Sequence, residues 1–170
     1  MRVYVASSWR NEGLTGLISA LRIVGHDIYD FREGNRAAFN WSEIDPRWQQ
    51  WTAPKFIQGL AHSRANTAFM YDKIALDRAE AVVLAMPCGR SAHLALGYAV
   101  GRGKPTAILL ANGEPELYYR MADHLCRDFN DLDEWLRYEE KRSLATFSEK
   151  PKAMTKTPFE RCTIQGKDEP

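Results

Sequence analysis

Cys88-Gly89-Arg90-Ser91 lies between an unbroken apolar run, residues 81–86, and a helical pattern, residues 91–102. A strand that turns straight into a helix leaves the first helical N–H groups unpaired, and such a turn favours an anion. Arg90 adds a bidentate grip on phosphate, and Ser91 either caps the helix or donates to a ligand. The plainer alternative stays open, with Ser91 only a cap and Arg90 a solvated charge. His93, in the first turn, fits packing or support of the site better than catalysis. Asp30 and Arg32, at the end of another short apolar run, either orient a base or pair with each other, and the pair is preferred. Phe39, Trp41, Trp48 and Trp51 crowd one irregular segment. They form a lid that stacks on a base, or they pack the loop onto the domain. His26 and His62 have no partner at metal-ligand spacing, and Cys88, Cys126 and Cys162 show no CxxC pairing. Neither a metal site nor a disulfide framework is expected.

The elements that position these residues follow from hydrophobic periodicity. Residues 2–6 read as a strand, and Leu14, Leu17, Ile18, Leu21 and Val24 then mark one face of a helix that Gly25 ends. Residues 26–29 form a second strand. Helices are expected over 53–62 and 65–79, a strand buried on both faces over 81–86, a helix over 91–102 and a second buried strand over 105–110. A short helix near 116–122, a weak strand over 124–126 and a helix over 132–142, capped by Asn130 or Asp131, complete the order. Strands alternating with helices imply an α/β fold, a doubly wound, flavodoxin-like or Rossmann-like five-stranded parallel sheet flanked by helices. Ligands of such sheets bind beyond the carboxyl ends of the strands. The GxGxxG fingerprint and the Walker P-loop are both absent, so no cofactor is expected.

The chain has 170 residues, 45% of them apolar, with 23 basic against 22 acidic side chains. That suits one soluble domain, taken as residues 1–143, followed by an irregular polar tail over 144–170 that is placed over a neighbouring subunit. A formal charge of +1 argues against a nucleic-acid polymer and for a small-molecule ligand. No apolar run reaches the length of a membrane span, and the reading is a cytoplasmic protein with no membrane partner.

Three motifs in order resemble the nucleoside 2-deoxyribosyltransferase family, which includes nucleoside monophosphate N-glycosidases. They are Tyr4-Val5-Ala6-Ser7-Ser8-Trp9, Asp72 ahead of Ala79-Glu80-Ala81-Val82-Val83, and the run SAHLALGYAVGRGKP over 91–105. GHDIYDFR and FNWSEIDPRW look like a bacterial and phage branch. The resemblance covers residues 1 to about 140. It implies that Tyr4 places a hydroxyl near the catalytic carboxylate and sugar, that Asp72 contacts and protonates the departing base, and that Trp9 lies beside the base. It also implies a homodimer or higher assembly. The family nucleophile is the glutamate of ELGYA, whereas here the phrase is ALGYA and the position is Ala95. A methyl group cannot attack an anomeric carbon, so the chain as written is expected to be nearly inactive in that chemistry. Two explanations fit: an engineered replacement that traps substrate, taken first, and a natural relative that binds without turnover.

A carboxylate at 95 would share a helix face with Ser91, beside the anion turn. This favours a nucleoside 5′-monophosphate, with Ser7, Trp9, Asp30, Arg32, Trp41, Cys88, Gly89, Arg90, Ser91 and His93 around it and Tyr4, Asp72 and position 95 at the reacting centre. A non-catalytic nucleotide sensor is the alternative. A flavin protein is a third reading, and it predicts a yellow protein.

Overall fold

The computed structural model describes residues 1–33, 38–111 and 115–148. The elements are β1 (Arg2–Ala6), α1 (Leu14–Ile23), β2 (Asp27–Tyr29), α2 (Ala53–Leu60), α3 (Ser63–Arg78), β3 (Ala81–Ala85), α4 (Arg90–Gly101), β4 (Thr106–Leu109), β5 (His124–Cys126) and α5 (Phe129–Ser148). The five strands pair in parallel in the order β2-β1-β3-β4-β5, the expected doubly wound sheet. The order reverses between β1 and β3, the switch point beyond whose carboxyl ends ligands of such sheets bind.

Two apolar layers hold the sheet. Val3, Val5, Val83 and Ala85 face one way and pack with Leu14, Ile18 and Leu21 of α1 and Leu132 and Leu136 of α5. Tyr4, Ala6, Val82 and Leu84 face the other way and pack with Leu76 of α3 and Ala92, Leu96 and Ala99 of α4. All five residues of β3 are buried, which is why its sequence carries no polar alternation. Each large side chain so enclosed contributes about 1.5–3 kcal/mol relative to leaving it in water. Gly25 at φ +98° and Gly103 at φ +66° take the left-handed conformation that ends α1 and α4.

Several boundaries differ from those read in the sequence. Gly89, not Ser91, is the N-cap of α4, and its lack of a side chain leaves that end without a side-chain cap bond. Helix α5 begins at Phe129, where the Asp128 carboxylate accepts from the Asp131 amide at 3.0 Å, so Asp128 does what was expected of Asn130 or Asp131. Because α5 runs on to Ser148, the polar composition after 143 does not end the helix, and the rest of the expected tail lies outside the described residues. Helices α2 and α3 break at residues 61–62, where His62 Nδ1 accepts from the Arg64 amide at 3.2 Å. The expected short helix near 116–122 is a 3-10 turn, Leu117–Met121.

The aromatic segment, read as either a lid or a loop packed onto the domain, is held by short-range bonds over its described residues. Asn40 and Glu43 form a reciprocal cap on the 3-10 turn Trp41–Glu43, and a second 3-10 turn covers Trp48–Gln50. Trp51 Nε1 donates to Asp45 Oδ2 at 2.7 Å, and Arg64 pairs with Glu43 at 2.7 Å while covering the Phe39 ring.

Candidate functional site

Three side chains meet on the α3–α4 side of the sheet. Tyr4 and Tyr29 are register partners across β1 and β2, so they share a face, and their rings stack 5.7 Å apart. Tyr29 Oη donates to Asp72 Oδ1 of α3 at 2.8 Å. Burial, with the Asp72 charge added, holds the Tyr4 phenol well above its usual range, and burial and the bond to Asp72 do the same for Tyr29. Both phenols stay protonated, and that of Tyr29 serves as a donor. Burial also raises the Asp72 carboxyl, against the opposing pull of the Tyr29 bond. The group therefore sits nearer to proton exchange at neutral pH than an exposed aspartate does.

Ala95 packs against the same apolar layer as Tyr4 and Tyr29, on the inner flank of α4. At about 100° per residue, Ser91 and Ala95 lie about 40° apart on the helix, while His93 lies about 160° and Arg90 about 140° from Ala95. The β3–α4 turn thus presents two sides. Ser91 shares the flank of Ala95. Arg90 and His93 look outward, where Cys88, Gly89, Arg90, His93 and Leu94 line an open concavity of about 680 Å³. Arg90 and Ser91 are exposed and neither side chain has a protein partner among the described residues, so both remain available to a ligand.

His93 is committed elsewhere. The Gly89 carbonyl 3.0 Å from Nδ1 can only accept, which puts the imidazole proton on Nδ1, and Nε2 then accepts from Tyr119 Oη at 2.9 Å. His93 joins α4 to the 3-10 turn after β4, as the packing reading expected. Cys88 Sγ is 3.7 Å from Nδ1, a nitrogen with no lone pair to take its proton, and burial pushes the thiol up to about 11. Cys88 thus lacks the adjacent base and the lowered pKa of an activated thiolate.

Other expected site residues hold the frame. Ser7 Oγ donates to the Ala85 carbonyl at 2.8 Å and accepts from Asn11 Nδ2 at 2.9 Å. The buried Asn11 amide also reaches the Ala85 and Met86 carbonyls, so it ties the ends of β1 and β3 together at the switch point. Asp30 and Arg32 pair with each other at 2.7 Å, the reading preferred for them. Trp41 is in contact with Phe39, Trp51 and Phe56, and it packs the segment rather than standing free. Trp9 is 56% exposed with its ring edge-on to Phe31, and it remains open to stacking. Among the described residues no cluster of His, Cys, Asp or Glu could hold a metal.

Tyr29, Asn11 and Tyr119 were not singled out from sequence. The parallel register of β1 and β2, which sets Tyr29 beside Tyr4, was the signal available for Tyr29. Asn11 sits in a loop and Tyr119 in a short 3-10 turn, neither with a periodicity to place its side chain.

No protein-family model matches the chain, and no curated protein matches it by sequence. Among solved structures, a 2-deoxyribosyltransferase from Bacillus psychrosaccharolyticus aligns with TM-score 0.54 and 19% identity over 78% of this chain and 90% of its own. A CMP N-glycosidase from Clostridium botulinum aligns with TM-score 0.44 and 16% identity over 84% of this chain and 99% of its own. The chain has the fold of the first of these, the α/β architecture that its motifs imply.

Proposed function

We propose that this chain is a member of the nucleoside 2-deoxyribosyltransferase-like family whose pocket holds a (deoxy)nucleoside 5′-monophosphate. In the enzyme form of that site, cleavage or transfer occurs at the N-glycosidic bond through a carboxylate at position 95. The observation that carries the reading is Ala95 packed into the same apolar layer as Tyr4 and Tyr29, with Tyr29 bonded to Asp72. Glycosidic cleavage passes through an oxocarbenium-like state that needs a carboxylate on the sugar and an acid on the leaving base. Asp72 is suited to be the acid. The carboxylate is missing, so the chain as it stands binds its nucleotide with little turnover. The uncapped α4 N-terminus, with Ser91 and Arg90 unpartnered, supports a 5′-phosphate over a free hydroxyl. Trp9 stacks on the base.

The protein is read as a cytoplasmic homodimer or higher oligomer. No helix among the described residues is long and apolar enough to cross a membrane. Phe69, Met70 and Ile74, left exposed along α3, support association between copies. A non-catalytic nucleotide sensor is the second reading, and Ala95 itself favours it.

Ala95→Glu separates the two. Incubated with a panel of nucleoside and deoxynucleoside monophosphates, the restored chain is expected to release free base at least 100-fold faster than the Ala95 chain, as read by chromatography. Nucleotide binding by both chains with no base released or exchanged by either would leave the sensor reading.

A further inference from the structure

We infer that Tyr29 is a positioning residue for the Asp72 carboxyl, holding Oδ1 so that the proton leaving Asp72 for the departing base leaves a carboxylate already hydrogen-bonded. The inference rests on the proposed glycosidic reading and extends it to a residue outside the three motifs that carry the family resemblance. The Tyr29 donor is 2.8 Å from Oδ1, and Oδ2 has no protein partner among the described residues. Neighbouring elements contribute no opposing charge. Tyr4 of β1 is a neutral phenol, and Lys73, next along α3, spends its ammonium on Asp77 at 2.6 Å and Tyr98 at 3.0 Å. The phenol of Tyr29 is thus the one donor to Asp72 among the described residues.

In the step itself, the C1′–N bond breaks and its electron pair goes to the base. The proton on Asp72 Oδ2 passes to that base, and the carboxylate restored at position 95 forms the new bond to C1′. Asp72 gains a negative charge as this happens. A donor fixed on Oδ1 therefore bonds more strongly in the transition state than in the ground state, so its effect falls on kcat rather than on substrate binding. A bond that only held the fold together would not divide its effect in this way.

The test compares Ala95→Glu with the double variant Ala95→Glu, Tyr29→Phe, since phenylalanine retains the stack on Tyr4. With the deoxynucleoside monophosphate that the restored chain cleaves best, kcat is expected to fall about ten-fold or more while KM changes less than two-fold. Loss of the donor raises Asp72 further, so the pH at which activity is lost on the alkaline side is expected to move upward. Adding Asp72→Asn should cost far less in the Tyr29→Phe background than in the parent, because the two residues act as a unit. A double variant with unchanged kcat and an unmoved alkaline limb overturns the role of Tyr29 alone. A restored chain that releases no base overturns the glycosidic reading, and the proton-transfer role of Tyr29 with it. Full additivity of the Tyr29 and Asp72 changes also overturns the positioning role, even if Tyr29→Phe lowers the melting temperature.

Discussion

Asp30 is 6% exposed, and a carboxylate so enclosed stays ionised because Arg32 supplies its guanidinium and its own backbone N–H. The bonds from Arg32 hold the Asp30 carboxyl below its usual range although burial alone would raise it. Arg32 also reaches Thr15 Oγ1 at 3.1 Å, so the pair fastens the end of β2 to α1. Removing the cation leaves a buried carboxylate without its partner. Arg32→Ala is therefore expected to cost about 2–4 kcal/mol in urea unfolding. If Asp30 and Arg32 instead serve the ligand, the variant keeps its stability and loses nucleotide affinity, and the two measurements separate the roles.

Helices test their own packing most directly at glycine. A Cβ on Gly59 of α2 would lie 2.3 Å from Trp51 Cζ3, while one on Gly16 of α1 would meet nothing within 4 Å. Alanine gains up to about 1 kcal/mol over glycine inside a helix, so Gly16→Ala is expected to stabilise by about 0.5–1 kcal/mol. At Gly59 the same gain opposes an indole fixed by Asp45 and wedged against Trp41, and the overlap costs about 1–3 kcal/mol. Gly59→Ala should therefore be net destabilising in a thermal melt, opposite in sign to Gly16→Ala.

The same elements explain what could be read from sequence. Strands β3 and β4 were legible because residues 81–86 and 105–110 are apolar without alternation, the mark of burial on both faces. The turn from β3 into α4 was legible because Pro87, Cys88 and Gly89 interrupt the apolar run before a helical pattern begins. Tyr29 was not, since its partner Asp72 is 43 residues away and their meeting depends on how β2 aligns with β1 and how α3 crosses above them. The packing of Trp41 was hidden for a similar reason. Aromatic composition alone does not separate a ring facing a ligand from one facing Trp51. After residue 143 the composition changes while α5 continues to Ser148, because helical hydrogen bonding does not need an apolar face to persist for one more turn.

Across the whole molecule, the response to acid sums groups that pull in the same direction by different routes, against the opposing pull of Asp72, which burial raises. His26 is buried between the sheet edge and α5, and burial together with the Met1 ammonium keeps its imidazole below the usual value despite Glu140 and Asp133 nearby. The folded chain therefore takes up that proton less readily than the unfolded chain. Its contribution to stability is complete above the unfolded value near 6.5 and is lost as the pH falls through that value toward the folded one. Asp30, held down by Arg32, Asp131, held down by His124 and Arg127, and Glu140, held down by the Met1 ammonium, are also depressed. Their contributions are complete above about pH 4 and are lost below it. The loss should come in two stages. The melting temperature is expected to be flat from pH 8 to 7, to fall by a few degrees between pH 6.5 and 5, and to fall more steeply below pH 4. His26→Gln should flatten the first stage and leave the second in place. A His26→Gln curve that parallels the wild-type curve from pH 7 to 5 would show that the fold holds His26 no differently from the unfolded chain, and the second stage would then stand alone as the work of the carboxylates.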